Sequence, residues 1–187
     1  MRIVAGTRRG RALASLGKGD PAAHLRPTTD RVRESLFNVL TNGKLGDLIS
    51  DMQVLDLFAG TGSLGLEALS RGAAHVTFVD DSAKALKLIR QNIALCQAQE
   101  QSRVLRCDAR RLGAVQTAPF NLIFLDPPYD MGRGEQALAS ASTGGWIAPG
   151  AVLVWEENVA ITVPSSFHQL DARRYGNTTI SILRHLE

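Results

Sequence analysis

Residues 54–65, Val-Leu-Asp-Leu-Phe-Ala-Gly-Thr-Gly-Ser-Leu-Gly, leave few folds open. An apolar run carrying one acid, Asp56, reads as a buried strand. It breaks into a turn with two glycines before Leu64, Leu66 and Leu69 begin a helical spacing. Gly60 and Gly62 carry no Cβ and can take positive φ, so the backbone there can approach a ligand closely, and the helix start beyond them offers free N–H groups. The pattern fits a loop that holds a nucleotide-like cofactor. Its alternative is a plain strand-to-helix turn whose glycines serve packing.

The rest of the chain extends this unit. Strand-like segments fall at 75–80, 103–107, 120–126, 151–156, 167–174 and 178–184, and helical segments at 63–71, 82–98 and about 134–142. A further amphipathic helix follows Thr28-Thr29-Asp30, with Val32, Leu36, Val39 and Leu40 on one stripe, Arg31 and Arg33 projecting elsewhere, and an end near Asn42-Gly43. Alternating strands and helices predict an α/β fold with a mostly parallel seven-stranded sheet. Tyr175-Gly176-Asn177 is too short for a parallel crossover, so the last strand is expected to run antiparallel in a hairpin. That ending departs from the layout of a nicotinamide dehydrogenase.

At 187 residues the chain suits one domain with a sizeable core. It shows no secretory leader and no apolar run long enough to span a bilayer, which makes the cytoplasm the expected compartment. Cys96 and Cys107 have neither CxxC nor metal-ligand spacing and read as packing residues, and no metal is expected. The net charge of +3 hides an asymmetry. Residues 1–33 hold Arg2, Arg8, Arg9, Arg11, Lys18, Arg26, Arg31 and Arg33 against Asp20 and Asp30, on an otherwise net acidic body. Residues 1–16 could form a β-hairpin around the basic bend Arg8-Arg9-Gly10-Arg11, followed by a Gly- and Pro-containing linker. The expected division is a basic arm and linker at 1–25 and a main domain at 26–187. Such an arm suits a polyanion, with Arg8, Arg9, Arg11, Arg26, Arg31 and Arg33 as candidate nucleic-acid contacts; a solvated basic face without a partner is the alternative.

In a doubly wound sheet ligands bind beyond the carboxyl ends of the strands, and acids stand at three of the first four ends. Asp80 lies twenty positions after Gly60, the spacing at which a carboxylate can accept from two ribose hydroxyls, and Asp81 beside it leaves the register open. Asp108 either accepts from an adenine amino group or caps a short helix through Arg110 and Arg111. These positions fit NAD or S-adenosylmethionine, since both present an adenosine.

Asp126-Pro127-Pro128-Tyr129, directly after the apolar run 122–125, decides between them. Two prolines fix φ and leave the Pro127 carbonyl with little freedom beside the Asp126 carboxylate. That pair of acceptors can hold both hydrogens of an exocyclic NH₂ group while its lone pair turns towards an electrophile, and Tyr129 offers a flat face to a base. A strand-end turn stopped by prolines is the alternative.

The loop 58–62 and the motif 126–129 together resemble the motif pair of amino-group methyltransferases that use S-adenosylmethionine. The segments 26–38 and 64–73, with the Arg9-Gly10-Arg11 bend, narrow the resemblance to the bacterial RsmD family, over nearly the whole chain. The resemblance implies a Rossmann-like class I methyltransferase that modifies guanine N2 in 16S ribosomal RNA. It places Asp56, Phe58, Gly60 and Gly62 around the methionine end of the cofactor, Asp80 or Asp81 at the ribose, and Asp108 and Ala109 beside the adenine. Asp126 and Pro127 would hold the amine, with Pro128 fixing the turn and Tyr129 stacking on the base. One departure is Asp80, where the family usually carries glutamate. Methylation of adenine N6 and an NAD-dependent oxidation, the latter suggested by Gly60-x-Gly62-x-x-Gly65, are the competing readings.

Overall fold

The computed structural model describes residues 1–15, 29–129 and 132–186. Among them run the strands β1 (Gln53–Leu57), β2 (His75–Asp80), β3 (Ser102–Arg106), β4 (Phe120–Leu125), β5 (Ile147–Glu157), β6 (Phe167–Tyr175) and β7 (Thr178–His185). The helices are α1 (Asp30–Asn42), α2 (Ser63–Ser70), α3 (Ala83–Leu95) and α4 (Arg133–Thr143). One sheet takes the order β3-β2-β1-β4-β5-β7-β6. Its first five members are parallel, and β7 runs antiparallel to both β5 and β6.

The period-two pattern of the strands sorts the helices. Val54, Phe78, Leu122, Phe124 and Val154 face Leu36, Phe37 and Leu40 of α1, Leu66 and Leu69 of α2, and Ile89 and Ile93 of α3. Leu55, Leu57, Ile123, Leu125, Leu153 and Trp155 face Ala137, Leu138 and Ala141 of α4. The central strands β1, β2, β4 and β5 are buried on both faces along most of their length, which is why they read as apolar runs.

The hairpin closes as expected through a turn in which Tyr175 pairs with Thr178 and Gly176 takes φ 62°. The sequence pattern did not reveal the insertion of β7 between β5 and β6, which leaves β6 at the edge with exposed His168, Arg173 and Arg174. β5 also begins at Ile147, earlier than the expected 151, and a register shift between Phe120 and Leu122 absorbs the extra residues.

α1 is capped as expected, the Thr29 hydroxyl accepting from the Val32 N–H at 3.3 Å. The N-terminal segment does make a short antiparallel pairing, through an Arg2–Ala12 bridge. It is built into the body, however, with Ile3 and Leu13 in the same core as α1–α3. The N–H groups of Val4 and Ala5 donate to the two carboxylate oxygens of buried Glu67 at 2.8 and 3.0 Å. Gly6 is required there: at φ 80° a Cβ would lie 1.8 Å from the Ser70 carbonyl oxygen.

Candidate active site

Strand register brings the acids together. Asp56 stands opposite both Phe78 and Phe124, and Phe124 opposite Val154. Two residues further along their strands, Asp80, Asp126 and Glu156 therefore reach the carboxyl edge on the α1–α3 face, one step beyond Asp56.

The glycine loop closes over this edge. Gly60 and Gly62 take φ 56° and 75°, and so does bulky Phe58 at 58°, a conformation that costs a non-glycine residue energy and is rare for a bulky side chain. Two anchors hold the loop from below. The Gly60 N–H donates to Asp80 Oδ2 at 2.9 Å, and Asn92 Nδ2 donates to the Thr61 carbonyl at 2.8 Å. The Gly65 N–H donates to Asp56 Oδ2 at 3.0 Å. A Cβ on Gly65 would lie 2.5 Å from Phe78 Cε1 and 2.7 Å from Val76 Cγ1, so this third glycine lets α2 press against β1 and β2.

The acids are electrostatically distinct. Burial, with a smaller push from the charge of Asp80, raises Asp56 to about 8 against the opposing Gly65 hydrogen bond. Asp126 is pushed well above the carboxylate range by burial first, then by Glu156, Asp56 and Glu157. Asp80 is raised by burial, opposed by the N–H groups of Gly60 and Ser82. Asp81 is exposed at the same strand end, so the structure separates a buried loop anchor from a surface acid.

Tyr129 is tethered on the far side of Asp126. Its hydroxyl donates to Glu156 Oε1 at 3.1 Å and lies 3.1 Å from Thr178 Oγ1, and burial raises the phenol. Pro127 is buried, and Pro128 half-buried. Glu156 and Thr178 escaped the sequence reading. The available signal was the acid pair Glu156-Glu157 ending a strand-like run.

Asp108 adopts the capping alternative. Its Oδ1 accepts from the Arg110 N–H at 2.9 Å, and the Arg110 guanidinium closes on Oδ2 at 2.7 Å. These contacts hold the carboxyl below its usual range. Ala109 is buried at the start of the short turn Ala109–Arg111. An open groove of about 630 Å³ lies between this turn and α4, lined by Arg110, Arg111, Gln136, Ser140 and Thr143, and the clustered acids line no part of it.

The basic candidates divide. Arg9, Arg11 and Arg31 are exposed, and Arg26 lies outside the described residues. Arg8 requires a correction: its guanidinium donates to the carbonyls of Cys96 (2.9 Å) and Leu69 (3.1 Å) and to Gln101 Oε1 (2.7 Å), so it is spent on the fold. Arg33 is a second correction, because it is wholly buried and paired with Asp30 at 2.8 Å and Glu67 at 3.8 Å. It also donates to the Arg2 carbonyl. No helix among the described residues is long and apolar enough to cross a membrane.

This arrangement has relatives. A family model described as "Conserved hypothetical protein 95" matches residues 1–184. "Ribosomal RNA small subunit methyltransferase D" of Escherichia coli strain K12 is 41% identical over 171 residues, covering 89% of this chain and 81% of that protein. The protein of the same name from Haemophilus influenzae is 36% identical over 159 residues, covering 83% and 78%. The solved structure "Putative methyltransferase yhhF from Escherichia coli" matches with a TM-score of 0.82 at 35% identity, covering 100% of this chain and 98% of that one. Sheet order, antiparallel last strand and overall likeness are those of Rossmann-like methyltransferases, and the chain belongs to the RsmD family.

Proposed function

We propose that this protein transfers a methyl group from S-adenosylmethionine to the exocyclic N2 amine of a guanine in small-subunit ribosomal RNA. The observation that carries the reading is the place of Asp126-Pro127-Pro128-Tyr129, at the end of the strand beside β1 and its glycine loop. The relatives' names support RNA of the small subunit as the substrate.

The donor set can be tested against the cofactor. Asp56 is buried and Asp126 half-buried, both are pushed upwards, and the charge of Asp56 adds to the push on Asp126. A ligand carrying an ammonium and a sulfonium relieves that burden, whereas a pyrophosphate would add to it. The residues therefore fit S-adenosylmethionine better than NAD. Asp56, Phe58, Gly60 and Gly62 would hold the methionine end, Asp80 or Asp81 the ribose, and Ala109 with the 108–111 turn the adenine. When bound, the cofactor supplies an electrophilic methyl group open to in-line attack.

The chain's own residues position the acceptor. The Asp126 carboxylate and the Pro127 carbonyl accept the two hydrogens of the amine and aim its lone pair, and Asp126 receives the proton as the nitrogen is alkylated. The raised affinity of Asp126 for a proton suits that second task. Tyr129 stacks on the base once it leaves its helix. Exposed Arg9, Arg11 and Arg31 meet backbone phosphates.

The test is methyl incorporation from labelled S-adenosylmethionine into unmodified small-subunit RNA or particles, followed by nucleoside mass spectrometry. N2-methylguanosine supports the proposal, and Asp126→Asn should lower the rate at least about a hundredfold while leaving the cofactor bound. N6-methyladenosine as the product would overturn the guanine assignment. Protection from heating by NAD, with none by S-adenosylmethionine, would overturn the reaction class.

A further inference from the structure

We propose that Asn92 is a positioning residue that joins the N-terminal segment to the glycine loop, so that docking of the segment and holding of the cofactor are coupled. This rests on the reading of residues 58–62 as the cofactor loop. Asn92 belongs to none of the motifs above and is fully buried on α3. A buried side-chain amide is costly unless bonded, so its partners show what it is for.

All three partners lie outside its own helix. Nδ2 donates to the Thr61 carbonyl at 2.8 Å and to the Ala14 carbonyl at 3.0 Å, while Oδ1 accepts from the Ala14 N–H at 2.7 Å. Both amide N–H donors are thereby used. Thr61 stands between Gly60 and Gly62, two residues without a Cβ to restrain them. The bond to its carbonyl fixes the peptide plane at the middle of the loop, where the chain is intrinsically loosest.

Undocking the segment would strip Asn92 of two of its three bonds. Other contacts make the same joint. The Thr61 hydroxyl reaches Met1 Sδ at 3.8 Å, and Arg8 binds the carbonyls of Leu69 on α2 and Cys96 at the end of α3. The segment thus staples together the two helices that follow β1 and β2. Its exposed Arg9 and Arg11 lie in the same turn. An RNA strand that holds this turn in place favours the ordered loop, and by linkage a filled loop favours RNA.

The experiment measures the affinity of S-adenosylhomocysteine by calorimetry, with and without a small-subunit RNA fragment, for the wild type, Asn92→Ala, Asn92→Asp and Leu36→Ala. Leu36 lies on α1 in the same core and takes part in none of the hydrogen bonds of this joint, so its variant reports the effect of reduced stability. The expected result is weakening by about tenfold in both Asn92 variants and an unchanged affinity in Leu36→Ala, whatever the fall in melting temperature. RNA should tighten binding in the wild type and lose that effect in the Asn92 variants. Folded Asn92 variants with wild-type affinity overturn the proposal alone, whereas a wild type that binds no S-adenosylhomocysteine overturns the cofactor reading beneath it. Should the variants fail to fold, hydrogen exchange at the Ala14 N–H of the wild type decides. Slower exchange with S-adenosylhomocysteine supports the joint, and an unchanged rate overturns it.

Discussion

The Tyr129 hydroxyl donates to Glu156 across a 3.1 Å gap, and it shares Thr178 on the neighbouring strand, so one phenol is tied to the ends of both β5 and β7. A tether at the tip of the ring fixes the plane of an aromatic face that the prolines before it have already aimed. Tyr129→Phe keeps the face and removes the tether. The expected outcome is a drop of about 1 kcal/mol in stability and a several-fold fall in kcat/KM for RNA, with cofactor affinity unchanged. Tyr129→Ala also removes the stacking surface, worth roughly 1–3 kcal/mol, and should cost ten- to hundredfold in kcat/KM. Wild-type kinetics in the alanine variant would take Tyr129 out of the site.

Local pattern carried the strands and the motifs, because alternation, turn glycines and prolines act through neighbours in sequence. The runs 54–57 and 122–125, the Thr29 cap and the 175–178 hairpin were readable for that reason. What escaped depends on partners far along the chain. Arg33 looked like a surface cation until Glu67 and the Arg2 carbonyl closed on it, and Arg8 until it met Leu69 and Cys96. Glu156 gains its meaning only from a strand order that sets β5 beside β4, and Asn92 only from the return of residue 14 to α3. The acid pair 80–81 was ambiguous because burial, which separates its members, is a tertiary property.

Asp56 gives the protein a particular dependence on pH. Its folded value of about 8 lies above the unfolded value of about 4, so the fold favours its neutral form. The resulting stability is complete below about pH 4 and is lost as pH rises through the folded value. Asp126, raised for the same first reason, acts in the same direction. Denaturant midpoints should therefore fall between about pH 5 and 8, and Asp56→Asn, which mimics the neutral acid, should flatten that fall. Binding of a cationic cofactor works oppositely, since it favours both carboxylates and expels protons. S-adenosylmethionine affinity should rise from about pH 6 to pH 8, and a flat or falling titration would contradict the charge pairing.

Gly65→Ala tests the approach of α2 to the sheet. The new methyl would lie 2.5 Å from Phe78 Cε1, closer than any relaxed contact, and 3.0 Å from Asp56 Oδ2, tighter than most. Overpacking of this kind costs about 1–3 kcal/mol, and the helix must shift away from the hydrogen bond that Gly65 gives Asp56. At about 2–4 °C per kcal/mol for a chain of this size, melting should drop by several degrees, with weaker cofactor binding. An unchanged melting temperature would show that the loop and helix yield without cost.

Arg9 and Arg11 on one side and Arg33 on the other separate binding from folding within a single basic region. The first two are exposed on a turn anchored from behind by Glu67 and Ser70, so replacing them removes charge without removing packing. Arg9→Ala combined with Arg11→Ala should leave stability within about 0.5 kcal/mol of the wild type. It should weaken RNA binding and reduce the slope of log affinity against log salt by about 0.7–0.9 for each phosphate that is no longer neutralised. Arg33→Ala should behave in the opposite manner. It strips buried Glu67 of one of its two arginine partners among the described residues, the other being Arg71 at 2.8 Å, and releases Asp30 and the Arg2 carbonyl. Removing one member of a buried ion network costs about 3–5 kcal/mol, so melting should collapse by roughly ten degrees or more. Whatever RNA affinity the folded fraction keeps should show an unaltered salt slope. A reduced slope in Arg33→Ala, or an unchanged one in the Arg9 and Arg11 double variant, would reverse the division drawn from burial.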